Sequence, residues 1–115
     1  MEKGIVYLYP HGLQGGQTIT LANKFTEDGR LVNLFGSFHV SKENMMMAED
    51  LLEETVNRII EGGEKIKLVL VGFSPLVAVM YGWFLKNKDK FPKEKIEAVY
   101  YIKDIGKEWE EVRLE

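Results

Sequence analysis

The chain has 115 residues, 45% of them hydrophobic and 29% charged, a size and balance that suit one folded domain over 1–115. Disorder, a collagen-like fibre and a large multi-domain enzyme are thereby excluded. Fifteen basic against eighteen acidic side chains leave a net charge of −3, which argues against long duplex nucleic acid, because affinity for it comes mainly from neutralising phosphates. Cysteine is absent, so a disulfide scaffold, a thiolate metal site and a cysteine nucleophile are excluded. Only His11, His39 and scattered carboxylates remain as ligands, and no metal is expected. Met1-Glu2-Lys3-Gly4 shows no signal-peptide pattern, so a cytoplasmic location is the expectation.

In chain order, Ile5-Val6-Tyr7-Leu8-Tyr9 predicts a first strand ended by Pro10, followed by a glycine-rich loop, His11-Gly12-Leu13-Gln14-Gly15-Gly16-Gln17. Asp28-Gly29 lies between two apolar runs, Thr18–Phe25 and Leu31–Phe38. It predicts a hairpin, since glycine takes the positive φ that such turns demand. The other reading makes Thr18–Phe25 helical, with Ile19, Ala22 and Phe25 in phase. Ser41 then predicts the cap of a long helix, with Glu43 at its positive end. Its apolar stripe is Met45, Ala48, Leu52, Val56 and Ile59, widened by Leu51 and Ile60, and Gly62-Gly63 stops it. Met45-Met46-Met47 suits a pliable interface, but at helical spacing core packing is the better reading.

Leu68 to Leu85 carries no charge, the minimum length for a membrane span. Gly72, Ser74 and Pro75 break it into a β-branched half and an Ala/Met/aromatic half, which predicts a buried strand over Lys65–Val71, a turn and a buried helix to about Asn87, not a membrane segment. Ser74 is the expected cap and Pro75 the first helical residue. Ile96–Ile102 is another strand, Ile105-Gly106 a turn, and Glu110–Leu114 a short edge strand. The expected fold is α/β with a mixed sheet in the order β-β-(β)-α-β-α-β-β. The strand–helix–strand unit Lys65–Ile102 implies two parallel strands with a right-handed crossover.

Three places could carry chemistry. Gly72-Phe73-Ser74-Pro75 lies at a strand's carboxyl end and a helix N-terminus, where free N–H groups and the helix dipole attract anions. The alternative is a plain, well-capped turn. Gly-x-Ser-x-Gly fails at Leu76, so this is not a nucleophile elbow. The loop with Gly12, Gly15 and Gly16 could wrap a ligand, and His11 emerges beside Ser74 if the first strand runs parallel to 65–71. Imidazole would then shuttle protons; otherwise His11 merely hydrogen-bonds locally. No Lys-Ser/Thr follows those glycines, so this is not an ATP-type phosphate loop. Asp104, after the strand ending Tyr100-Tyr101-Ile102, is the acid best placed at the same edge, with turn chemistry before Gly106 as the competing explanation. Tyr100 and Tyr101 point to opposite faces, so at most one could stack on a base, and Tyr101 is taken as that candidate. His39, at the end of an alternating run, reads as structural.

Charge is uneven along the chain. Residues 41–64 hold two basic against seven acidic side chains, whereas 86–95 hold five lysines against two acids. The lysines follow the second long helix, where cations complement its dipole. Trp83, Phe84 and Trp109 supply aromatic area, some of it available to a dimer interface.

Leu68-Val69-Leu70-Val71-Gly72-Phe73-Ser74-Pro75-Leu76-Val77-Ala78, followed by Tyr81-Gly82-Trp83-Phe84-Leu85, resembles the small CRISPR-associated Rossmann-fold (CARF-like) proteins. These include single-domain ring nucleases of type III CRISPR systems. A strand like Ala98-Val99-Tyr100-Tyr101 and a final short strand complete the pattern over about 65–114. The resemblance implies a Rossmann-like homodimer that binds cyclic oligoadenylate across its axis, with Gly72, Ser74 and Pro75 at the phosphates. Asp104 lies near an acidic position of one subfamily. That subfamily's histidine after the second helix has no counterpart in Lys86–Pro92, which leaves His11 as the alternative. The expected function is binding of cyclic oligoadenylate, with cleavage by a cofactor-free phosphodiesterase mechanism as its enzymatic form. The rival is a non-enzymatic interaction module using the 41–61 helix face or a sheet edge.

Overall fold

The computed structural model describes residues 4–10, 16–34, 41–70, 74–102, 106 and 108–114, with the backbone alone at 16–20 and 74. Five strands form one mixed sheet in the order β2-β1-β3-β4-β5. The β-branched and aromatic runs form β1 (Ile5–Tyr9), β3 (Lys65–Val69) and β4 (Ile96–Ile102), all mutually parallel where they pair. The last strand, β5 (Glu110–Leu114), runs antiparallel to β4. These elements match the sequence expectation, including the placement of Lys65–Val69 in the interior of the sheet.

The N-terminal third corrects it. Residues Gly16–Asp28 form a helix, α1, and the second strand, β2 (Gly29–Asn33), pairs parallel with β1 rather than closing a hairpin. The order is therefore β-α-β-α-α-β-α-β-β among the described residues, not β-β-(β)-α-β-α-β-β. Leu21 and Phe25, four residues apart, fall on one helix face and are fully buried, and this burial outweighs the β-branched threonines and isoleucine that favour a strand. Gly29 has no positive φ. Its need for glycine is close approach instead, since a Cβ there would fall on the carbonyl oxygen of Ile5 in β1. The strand expected over Leu31–Phe38 is described only as far as Leu34, and Phe35, Phe38 and His39 lie outside the described residues.

The long helix expected from Ser41 is two helices. Ser41 does cap α2 (Lys42–Met45), its hydroxyl accepting from the Asn44 N–H at 3.1 Å. The chain then tightens: the Met46 and Met47 amides donate to the carbonyls three residues back, at 3.3 and 2.9 Å, before α3 (Ala48–Glu61) begins. Core packing reaches only Met45 of the methionine triplet, which packs against Ala48 and Leu76, while Met46 and Met47 are 82% and 61% exposed. α3 ends in a Schellman motif. Gly63, at φ 88°, lets its own amide reach the Ile60 carbonyl and the Glu64 amide reach that of Ile59.

The apolar stripe of α3 (Leu52, Val56, Ile59) packs with Met80, Trp83 and Phe84 of α4 (Ser74–Asn87) over one face of the sheet, against Val6, Leu8, Ile66, Leu68, Ile96 and Ala98. Trp83 and Phe84 are thus core residues. The opposite face carries α1, where Phe25 stacks on Tyr7 with ring centres 4.4 Å apart and meets Tyr101 edge-on at 5.0 Å. Trp109 packs against this second cluster. The uncharged stretch 68–85 contains the end of β3 and most of α4, and no helix among the described residues is long and apolar enough to cross a membrane.

Candidate functional site

Parallel pairing of β1, β3 and β4 brings their carboxyl ends, at Tyr9, Val69 and Ile102, to one edge of the sheet. From β1 the chain passes through α1 outward to β2, then returns past β1 to β3 and moves on through α4 to β4. The direction of winding therefore reverses between β1 and β3. At such a switch point the connections leave toward opposite faces and open a crevice beyond the strand ends, where open α/β sheets bind ligands. Here α1 covers one face and α4 the other. Both helices begin at this edge, α1 at Gly16 and α4 at Ser74, so the positive ends of their dipoles and their unpaired N–H groups lie there.

Of the residues singled out in the sequence, Gly16 opens α1, Ser74 opens α4 and Pro75 is exposed in its first turn. Parallel β1 and β3, the condition for joining the His11 loop to the Ser74 turn at one edge, is met. His11, Gly12, Gly15, Gly72, Phe73 and Asp104 lie outside the described residues. Tyr101 sits in the core, 8% exposed. Its ring packs on Phe25 and its hydroxyl donates to Glu111 at 2.5 Å, a setting that serves packing rather than base stacking. Tyr9, half-buried at the carboxyl end of β1, was not singled out. Burial raises its phenol above the ordinary value, and its place as the last aromatic of the strand is the signal that marks it.

A polar network on the α1 side of the sheet was also missed. The Lys67 ammonium in β3 bridges both Glu111 oxygens at 2.9 Å and stands 3.6 Å from Glu97. Arg113 reaches Glu97 at 3.2 Å. Burial pushes the Glu111 carboxyl up, but hydrogen bonds from Lys67 and Tyr101 outweigh it and hold the group below the usual carboxylate range. Burial likewise lowers Lys67, and its bond to Glu111 overcomes that and leaves it raised. The Tyr101 phenol is driven far up by burial, then by Glu111. No buried side-chain donor or acceptor among the described residues lacks a partner, and the cluster ties β3, β4 and β5 together. Among the described residues no three of His, Asp and Glu converge as metal ligands.

At the opposite, amino edge lie two adjoining depressions of about 400 and 260 Å³ that share Lys93, Ile96, Glu97 and Arg113. Their rims mix lysines with Asp89, Glu94 and Glu97. The chain matches no family model, no curated protein and no solved structure. It is a compact α/β protein with a five-stranded mixed sheet whose winding reverses between β1 and β3.

Proposed function

We propose that this chain is a Rossmann-like domain of the CARF-like kind that binds cyclic oligoadenylate at the carboxyl edge of its sheet, self-associates, and opens the ring. The observation that carries the reading is the reversal of winding between β1 and β3, with α1 and α4 both starting at that edge. Two helix N-termini facing one crevice suit a compact ring of phosphates better than lysines would, because their N–H groups are fixed and carry no competing salt bridges. The strand, turn, apolar helix, strand and final short strand from which the resemblance arises are β3, α4, β4 and β5 with their connections.

Cleavage needs no external nucleophile. A ribose 2′-oxygen of the bound ring attacks its own 3′-phosphorus while the bond to the next 5′-oxygen breaks, which leaves a linear product with a 2′,3′-cyclic phosphate. The protein's part is alignment of the 2′-oxygen with the leaving group and stabilisation of the phosphorane charge by the amides that begin α4. His11, by its sequence position after β1, is assigned proton transfer to or from these oxygens. Incubation of the purified protein with labelled cyclic tetra- and hexa-adenylate tests this. Retarded mobility and a linear product are expected; neither binding nor product with either ring would remove the reading.

A further inference from the structure

The sheet ends on β5, and its outer backbone groups pair with nothing among the described residues. An unpaired, proline-free edge strand is a template for another strand, and proteins usually blunt such edges. The charges of β5, Glu110-Glu111-Val112-Arg113-Leu114, guard that edge against most strands but complement a second copy of themselves. Laid antiparallel on itself about Val112, it sets Glu111 opposite Arg113 twice, Val112 opposite Val112, and Glu110 opposite Leu114. Opposite charges facing across antiparallel strands are stabilising, like charges destabilising. We propose that β5 pairs with the β5 of a second copy of this chain, antiparallel about Val112, so that two five-stranded sheets join into one. This names an interface for the self-association in the reading above and rests on that part of it, independently of the ligand.

Both charged groups have room for a second partner. Arg113 is 59% exposed and holds Glu97 from Nε at 3.2 Å, and its guanidinium carries five N–H donors, enough for a second carboxylate. Glu111 spends its two oxygens on Lys67 and Tyr101, yet a carboxylate accepts about four hydrogen bonds. On the other face Val112 and Leu114 are half-buried, and Ile102, opposite Glu110 in the β4–β5 register, is 44% exposed. The opposite edge offers no such match, because β2 laid on itself about Leu31 sets Arg30 against Val32, and Arg30 is committed to Glu64 at 2.7 Å. A β5–β5 pairing is isologous and closes at two copies. Its axis crosses the sheet and sends the two carboxyl edges to opposite ends, so in this pair each copy holds its own ring, unlike the single ring across the axis that the resemblance implies.

Light scattering of the ligand-free protein after size exclusion tests the interface without reference to the ring. The expected mass is twice 13.2 kDa. Arg113→Pro, which removes an outward edge N–H of β5, is expected to give a folded monomer with the far-ultraviolet dichroism of the parent. Leu114→Glu, which faces Glu110 of the other copy, is expected to dissociate the pair, and Glu110→Lys added to it to restore the dimer. A parent mass of 13.2 kDa at every loading concentration would overturn the assignment. So would a folded Arg113→Pro that stays dimeric. Should that variant not fold, the Glu110 and Leu114 pair decides: a dimeric Leu114→Glu, or no recovery in the double variant, contradicts the pairing.

Discussion

The two ends of the sheet invite opposite readings by charge and by geometry. The amino edge carries the lysines Lys65, Lys88 and Lys93 with Arg113 around its depressions, and on charge alone it looks like the phosphate site. Yet α3 and α4 both end there, at Glu61 and Asn87, and helix C-termini repel anions and attract cations. The lysines compensate those dipoles, and Asp89, Glu94 and Glu97 interleave with them. The carboxyl edge shows few charges among its described residues, but it collects helix starts. Fixed backbone dipoles, rather than formal charges, distinguish the edge that suits an anion. A protein of net charge −3 needs no basic patch to hold a small phosphate ring.

The sharpest way to break this contrast is His11→Ala. It is expected to slow ring opening by about 10²- to 10⁴-fold while ring affinity stays within a few-fold, read by single-turnover product formation beside a binding titration. Unchanged turnover removes His11 from proton transfer. At the other edge, Lys88→Glu with Lys93→Glu is expected to change ring affinity by less than about three-fold at physiological salt, since charges farther than about 8 Å are screened. A large loss would move the site to the amino edge.

How much of this was legible depended on whether a signal was local. β1, β4, β5 and the span of α4 follow from β-branched runs, Ser74-Pro75 and the glycine stops, each contained within a few residues. Gly62-Gly63 was read correctly because a helix end is a local event. Asp28-Gly29 misled because glycine there answers a neighbour, Ile5 of β1, that is distant in sequence. The Lys67–Glu97–Glu111–Arg113 network was invisible for the same reason. Its members meet only through the β3–β4 and β4–β5 registers, although lone charges inside KIKLV, IEAVYYI and EEVRL marked positions that required partners.

That contrast between local and register-borne features carries two smaller predictions. Gly29→Ala is expected to cost about 1–3 kcal/mol in urea unfolding, the range for overpacking, because the new methyl displaces the β1–β2 pairing at Ile5. A neutral result would mean the strand shifts freely. The Glu111 carboxyl, held low in the folded protein, contributes stability that is present above the unfolded value of about 4.3. That stability is lost as pH falls through the lower folded value. Glu111→Gln is therefore expected to flatten the acid limb of a thermal-stability profile below about pH 4.3. An unchanged limb would show the network to be energetically silent.

The most direct test of the ligand edge is a residue-resolved amide titration with cyclic tetra-adenylate followed by cyclic hexa-adenylate. The account predicts shifts concentrated at Gly16, Ser74 and Leu76, where α1 and α4 begin, with Lys88 to Lys95 unmoved. Shifts centred on Lys88, Lys93 and Arg113, or none with either ring, would contradict it.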